Sequence, residues 1–344
     1  MGRTTLSIAL VTTAAVSTVA MIEAPSFQAG SSAGAGIAFT PARTLVFLAA
    51  LIATVTLVTY ELGSKGEYAD VLYLTAVSAL SLWVANSPPR VPNGFLSFIN
   101  SSLSNFGIAL SKETLFYTHL YILLLLITAL FYASPRHSRE FGFLTVGMTF
   151  TMPAFRDPLY QPSTLAIGVT AFALSLAIST TLVFSVNPVK SFLQTLALSF
   201  FTVVAIVAEP WNVALPIAFV LTFPRKRRDL TYITLVTLGI IAVGKLGLLL
   251  PRTALHVPPK TALVQSLLPV LVLAYAFAGY SSGMKKIIRN TKGPTPFLLL
   301  LSLAYLVATP FEPAVFPYLL LTAAALASRS LYHTRNMERR GIRI

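Results

Sequence analysis

Few side chains in the apolar segments of this sequence could do chemistry, and Lys245 is the clearest of them. It ends the run Gly239 to Lys245, which matches all but the last position of the phosphate-binding pattern G-x-x-x-x-G-K-[ST]. Leu246 replaces the hydroxyl residue and the run is apolar, so we interpret it as helix and not as a nucleotide loop. An ionisable residue inside a membrane span is costly and marks a functional candidate. Lys245 therefore either extends to the membrane surface or contacts a substrate anion.

Acidic residues followed by proline form a second set. They are Asp157, Glu209 and Glu312; the first two lie 52 residues apart and the last two 103, nearly twice that. A hairpin of two spans with its loops measures about 50 residues by itself, and proline and a carboxylate are both favourable where a helix begins. The spacing therefore fits ordinary hairpins, and it also fits an internally duplicated fold of the kind found in transporters. In the second case, the three carboxylates would lie near the outer surface along a substrate or ion pathway.

A third set of candidate residues lies at the start of a long apolar run. In chain order it contains Glu113, Tyr117, His119 and Tyr121. Aromatic residues at the ends of spans are ordinary interfacial anchors. The alternative is a proton relay or ligand site that uses Glu113 and His119.

The elements that must position these residues are predicted to be membrane helices. The chain has 344 residues, of which 55% are hydrophobic and 10% charged, with a mean hydropathy of +0.76. Soluble domains carry about 25% charged residues. We therefore predict an all-α polytopic membrane protein with about 12 transmembrane helices (10 to 12). The candidate spans are 4–22, 43–62, 69–87, 113–133, 141–155, 163–186, 191–208, 211–223, 230–250, 261–282, 296–309 and 314–332.

Three of these spans, 141–155, 211–223 and 296–309, are short for a full crossing, so they either extend into flanking residues or re-enter. The chain has no cysteine, which excludes disulfides, thiolate catalysis and cysteine-ligated metals. No polar stretch is long enough for a nucleotide-binding domain. We expect no cofactor and no bound metal.

Basic residues set the predicted orientation, because short cytoplasmic loops retain Lys and Arg. Their clusters fall on one face, so both termini are predicted to be cytoplasmic, with a net charge of +12 on the inner face and +1 on the outer face. We interpret the clusters as contacts with anionic lipid head groups, and expect no nucleic-acid partner. The head-group residues are Arg225, Lys226, Arg227, Arg228, Lys285, Lys286 and Arg289.

The domain prediction is a single transmembrane domain over 1–344, in the plasma membrane. Within it, 23–42 is predicted to be a flexible outer loop, 94–110 an amphipathic helix in the outer interface, and 333–344 a basic cytoplasmic tail. Residues 4–22 form either a retained span or a cleaved signal peptide. Asn100-Ser101-Ser102 matches a glycosylation acceptor on the predicted outer face.

Three function classes fit this pattern. The first is a permease for a small solute or ion, which the span count and the proline-interrupted segments favour. The second is a non-catalytic membrane subunit of a respiratory or cell-surface complex, with partner subunits, which the scarcity of charges inside spans favours. The third is an outer-face enzyme of the lipid-linked glycosyl transferase type. We therefore expect a carrier or a complex subunit in preference to an enzyme.

Overall fold

The computed structural model describes residues 41–62, 91, 93–104, 107–133, 139–150, 152, 155, 159, 162–182, 187–223, 226–245 and 293–339. This part of the chain is helical and contains no strand. Its first helices are α1 (Pro41–Leu62), α2 (Asn93–Leu103), α3 (Lys112–Ala133), α4 (Arg139–Phe150) and α5 (Thr164–Leu182). There follow α6 (Pro188–Ala208), α7 (Ala214–Thr222), α8 (Lys226–Lys245), α9 (Pro294–Ala308) and α10 (Phe316–Arg339). Two 3-10 turns, Pro210–Val213 and Pro313–Val315, precede α7 and α10.

The all-helical prediction is confirmed for the described residues. Within the part of the chain that the structure describes, three segments are long and apolar enough to cross a membrane by length and composition: Lys112–Ala133, Pro188–Ala208 and Pro313–Tyr332. Shorter apolar helices cover Leu45–Thr54, Thr164–Thr180, Pro210–Thr222, Leu230–Lys245 and Pro294–Ala308. The structure is therefore that of a helical chain with membrane-type segments. The predicted spans 4–22, 69–87 and 261–282 and the loop 23–42 lie outside the described residues, apart from the last two loop positions, which begin α1.

The chain divides into two compact units. The first comprises residues 1–128 with 159–166, and the second comprises 129–158 with 167–344. In the first unit, the Phe47 ring of α1 stacks on the Tyr117 ring of α3 with centroids 5.0 Å apart. The Tyr121 hydroxyl, one turn further along α3, bonds to the Thr54 hydroxyl of α1.

The segment predicted as an interfacial helix over 94–110 is helical over Asn93–Leu103. The Asn100 side chain pairs with the Leu110 backbone in both directions, since its Nδ2 donates to the carbonyl (3.2 Å) and its Oδ1 accepts from the amide (2.8 Å). These two bonds tie the chain after α2 back onto the helix. Asn100 thus has a structural role, and its half-buried amide does not support the use of this site as a glycosylation marker of orientation.

In the second unit, α6 packs on α8, α7 on α9, α9 on α10, and α10 on α4. The Phe219 ring of α7 contacts the Tyr232 ring of α8 (5.0 Å) and the Phe297 ring of α9 (6.3 Å). The Gly293 amide donates to the Thr222 carbonyl (3.0 Å) and so joins the start of α9 to the end of α7.

The helix α6 has one buried face and one exposed apolar face. Its exposed apolar side chains recur at helical spacing on a single stripe: Val189, Phe192, Leu193, Leu196 and Phe200. Its buried residues are mostly small or hydroxylic, among them Ser191, Thr195, Ser199 and Thr202. An apolar outer face with a more polar inner face is the arrangement expected of a helix at the lipid boundary of a bundle.

Candidate functional site

The Pro210 turn interrupts what would otherwise be a continuous apolar hairpin. The helix α6 ends at Ala208, and Glu209 then takes an extended conformation (φ −147°, ψ 109°). Pro210 occupies the first position of the turn, where a missing N–H costs nothing. The Glu209 amide still donates to the Ala205 carbonyl (2.9 Å), while Oε1 of its side chain accepts from the Trp211 amide (3.4 Å). Glu209 is 5% exposed, so the interruption places a carboxyl group inside the protein.

The Pro313 turn has nearly the same local geometry. Glu312 is extended (φ −140°, ψ 97°) before Pro313, and its amide donates to the Ala308 carbonyl at 3.0 Å. The Val315 amide donates to the Glu312 carbonyl (3.1 Å), as the Asn212 amide does to that of Glu209 (3.0 Å). The two turns differ in their side chains, because Glu312 is half-buried and makes no capping bond.

Asn212, the third residue of the Pro210 turn, connects α6 to α9. It is fully buried, and its Nδ2 donates to the Ala205 carbonyl (2.8 Å). Its Oδ1 accepts a hydrogen bond from the Tyr305 hydroxyl (2.8 Å), which stands near the end of α9. The side-chain amide of Asn212 therefore bonds to α6 through its nitrogen and to α9 through its oxygen. The interrupted hairpin α6–α7 and the interrupted hairpin α9–α10 meet at this residue.

Tyr318 of α10 completes the group that we call the buried polar cluster: Glu209, Asn212, Tyr305 and Tyr318. Its hydroxyl approaches the Asn212 side chain, but it has no hydrogen-bond geometry with any described residue. The Tyr305 and Tyr318 rings lie with centroids 5.9 Å apart. The Glu209 carboxyl group is close enough to interact electrostatically with both phenols.

Helix α5 closes the cluster on one side. The Phe172 ring meets the Tyr305 ring (5.5 Å) and the Tyr318 ring (5.3 Å) edge-on. At Gly168 the backbone comes so close that an added Cβ would lie 2.5 Å from the Tyr318 hydroxyl oxygen and 2.6 Å from the Ala208 Cβ. Only glycine leaves room here for the phenol.

No protein-family model, curated protein or solved structure matches the chain. The arrangement of the residues themselves must therefore carry the functional argument.

The other predicted site residues are not members of the buried polar cluster. Glu113 and His119 are buried in the part of α3 that belongs to the first unit. Lys245 is exposed and is the last residue of α8. Asp157 falls outside the described residues. The predicted pathway roles of these residues stay predictions.

The head-group prediction is likewise untested. Lys226, Arg227 and Arg228 lie in the first turn of α8, and their side chains are not described. Arg225, Lys285, Lys286 and Arg289 lie outside the described residues. Among the residues that the structure describes, no group of three or more His, Asp or Glu side chains could hold a metal ion.

The run Gly239 to Lys245 is helical, which confirms that it is not a phosphate-binding loop. Gly239 has a packing role, because an added Cβ would lie 2.7 Å from Cγ2 of Val203 on α6. A Cβ at Gly244 would meet nothing within 4 Å. One of the two glycines therefore allows the close approach of α6 and α8.

Asn212, Tyr305 and Tyr318 were not predicted as site residues, although each is a polar side chain in an apolar segment. The structure also buries Arg329 on α10, with Nε donating to the Ala133 carbonyl (3.3 Å) at the end of α3. A polar side chain within an apolar segment could have identified these residues in the sequence, because such a group is costly to bury in a membrane. Tyrosine is so common at interfaces that this signal is weak in sequence.

Proposed function

We propose that the chain is a multi-pass permease of the plasma membrane that moves a small solute or ion, and that its pathway passes the buried polar cluster. The observation that carries this proposal is the hydrogen bond between Asn212 and Tyr305. One interrupted hairpin is formed by α6 and α7, and another by α9 and α10. The bond joins the turn of the first hairpin to the end of α9 in the second.

Interrupted helices are the usual way in which transporters build sites inside a membrane. A break frees backbone carbonyls and amides, and such irregular backbone is tolerated where it is buried in protein or lines a cavity. Here both breaks carry a glutamate followed by a proline, with matching backbone angles. The match supports a duplicated hairpin, which we include in the proposal together with about 12 spans and two cytoplasmic termini.

The polarity of the cluster also supports a pathway. A buried carboxyl group, a carboxamide and two phenols are more polar groups than packing alone requires. Polar side chains buried among apolar helices are costly to desolvate, and in membrane proteins they are found mostly where a solute or ion passes.

Reconstitution into proteoliposomes tests the proposal. A panel of inorganic ions, amino acids, sugars and small organic acids should show solute-dependent transport by the wild-type chain, measured as current for charged solutes and as uptake of labelled solute for neutral ones. Glu209→Gln should reduce that transport at least tenfold, whereas Gly147→Ala on α4, whose added methyl group meets nothing within 4 Å, should leave it within twofold.

Two results would contradict the permease. One is the absence of transport of every solute, by current and by uptake, from a folded, monodisperse chain. The other is a stoichiometric partner that remains bound after gentle extraction, with no transport by the complex. The second result would favour a membrane subunit without its own site.

A further inference from the structure

We propose that the solute carries N–H or O–H groups, and that the buried face of α6 binds them through Gln194 and the neighbouring hydroxyl oxygens. This inference rests on the proposed function, because it gives that permease its substrate class. It also extends the pathway from the buried polar cluster along α6.

The buried face of α6 is polar along the length of the helix. Its buried polar side chains are each at most 8% exposed: Ser191, Gln194, Thr195, Ser199 and Thr202. Their spacing places them on one side of the helix, opposite the exposed apolar stripe. Gln194 lies about 22 Å along the helix axis from Glu209, the residue that caps α6, at a rise of about 1.5 Å per residue. The face therefore leads from the buried polar cluster toward the other end of the helix.

The hydroxyl groups beside Gln194 present lone pairs to a ligand. The Thr195 hydroxyl donates to the Ser191 carbonyl (2.7 Å), and the Ser199 hydroxyl donates to the Thr195 carbonyl (2.8 Å). A hydroxyl group has one proton and two lone pairs, so it can still accept when its proton is used. These two positions therefore offer acceptor oxygens to a neighbouring group.

Gln194 is the residue that points to a ligand. Its Oε1 atom is buried, and among the described residues this atom has no hydrogen-bond partner. A buried carbonyl oxygen without a partner is unfavourable, and fixing a long side chain costs entropy as well. Packing between helices does not require such a side chain, because small residues are sufficient there. A donor group of a solute on this face supplies the missing bond.

The second half of the same face shows a role in packing alone. The Thr202 hydroxyl bonds to the Tyr232 hydroxyl of α8 (2.9 Å), and Val203 lies against Gly239 of the same helix. These groups have their partners within the protein. Gln194 therefore differs from the residues that join α6 to α8.

The chemistry of this face favours donors over anions and metal cations. An anion would meet the lone pairs of Gln194, Thr195 and Ser199, and residues 191–208 contain no Lys, Arg or His to attract it. A metal cation needs several oxygen ligands at once. A single N–H or O–H group is satisfied by Oε1 of Gln194 alone. Ammonium groups and polyhydroxyl compounds are the solute classes that fit.

Single cysteines test the face without a transport measurement, since the chain has no cysteine of its own. Thr195→Cys and Ser199→Cys place a thiol on the buried face, and Leu196→Cys and Phe200→Cys place one at matched depth on the exposed apolar stripe. In lipid nanodiscs, a small water-soluble methanethiosulfonate should label the first pair about tenfold faster, because a thiol must contact water to ionise. Ammonium ion or a sugar should slow the labelling of Thr195→Cys, whereas chloride should not.

Gln194→Met tests the contact itself, because it keeps the length of the side chain and removes the amide. In proteoliposomes, KM for the transported solute should rise about fivefold with an unchanged maximal rate, as expected when one hydrogen bond is lost from binding. Leu198→Met, one turn further along the same buried face, is the matched control and should leave KM unchanged.

Four results would overturn the inference. Labelling of the buried-face cysteines that is no faster than that of the exposed pair would show a face closed by packing. Protection by chloride alone, or by no donor-bearing solute, would exclude the proposed substrate class. Transport restricted to anions or alkali cations would do the same, and an unchanged KM in Gln194→Met would remove the proposed contact. If labelling and protection are as expected but no solute is transported, the permease proposal alone fails.

Discussion

The Tyr305 hydroxyl donates a 2.8 Å hydrogen bond to Oδ1 of Asn212, which lies 93 residues earlier in the chain. Both residues are fully buried. Because the other side of the Asn212 amide is bonded to the Ala205 carbonyl, one carboxamide connects the end of α6 to the end of α9. The bond thus fixes the place where the two interrupted hairpins meet.

Loss of this bond should measurably weaken the second unit. Tyr305→Phe keeps the ring but leaves Oδ1 of Asn212 without its donor, and we expect a loss of about 0.5 to 2 kcal/mol, in the range of interhelical hydrogen bonds in membranes. Unfolding by SDS in mixed micelles measures the change. In a double-mutant cycle with Asn212→Ala, the two effects should be less than additive. Full additivity would show that the bond contributes nothing.

Much of the helical pattern was predictable because apolar length is a local property. The predicted spans 43–62, 113–133 and 191–208 agree with α1, α3 and α6 within three residues at each end. The interruptions after Ala208 and Ala308 were also visible, since Pro210 and Pro310 each stand two residues later and a helix usually ends before the residue that precedes a proline.

What the sequence could not show is which helix faces meet. Nothing local links Asn212 to Tyr305, or Gly168 to Tyr318, because these contacts depend on the rotation and depth of whole helices. The buried polar cluster was therefore missed except for Glu209. The same limit applies to Gly239 and Gly244, which are equivalent in sequence although, among the described residues, only Gly239 contacts a neighbouring helix.

The contact between Gly168 and Tyr318 gives a second prediction. Gly168→Ala places a methyl group 2.5 Å from the phenol oxygen and 2.6 Å from the Ala208 Cβ. We expect a loss of about 1 to 3 kcal/mol in the free energy of unfolding, as for overpacked cores. Gly147→Ala is the matched control on α4, because its methyl group meets nothing within 4 Å.

Tyr318→Phe provides the rescue for this substitution. It removes the phenol oxygen, which is one of the two close contacts, and leaves the ring packed against Phe172. The pair Gly168→Ala with Tyr318→Phe should therefore be more stable than Gly168→Ala alone. If the double variant is as unstable as the sum of the two single variants, the oxygen is not what Gly168 accommodates.

The two glycines of the false phosphate-binding pattern give the third prediction. Gly239→Ala should destabilise the packing of α6 on α8 by about 1 to 3 kcal/mol, because the new methyl group would lie 2.7 Å from Cγ2 of Val203. Gly244→Ala should be neutral or stabilise the helix by up to about 1 kcal/mol, since alanine has the higher helix propensity. Unfolding in mixed micelles compares the two.

Val203→Ala should recover part of the loss in Gly239→Ala, because it removes the methyl group that the new Cβ meets. A phosphate-binding role would make both substitutions equally harmful to nucleotide binding, whereas a packing role makes only the first harmful to stability.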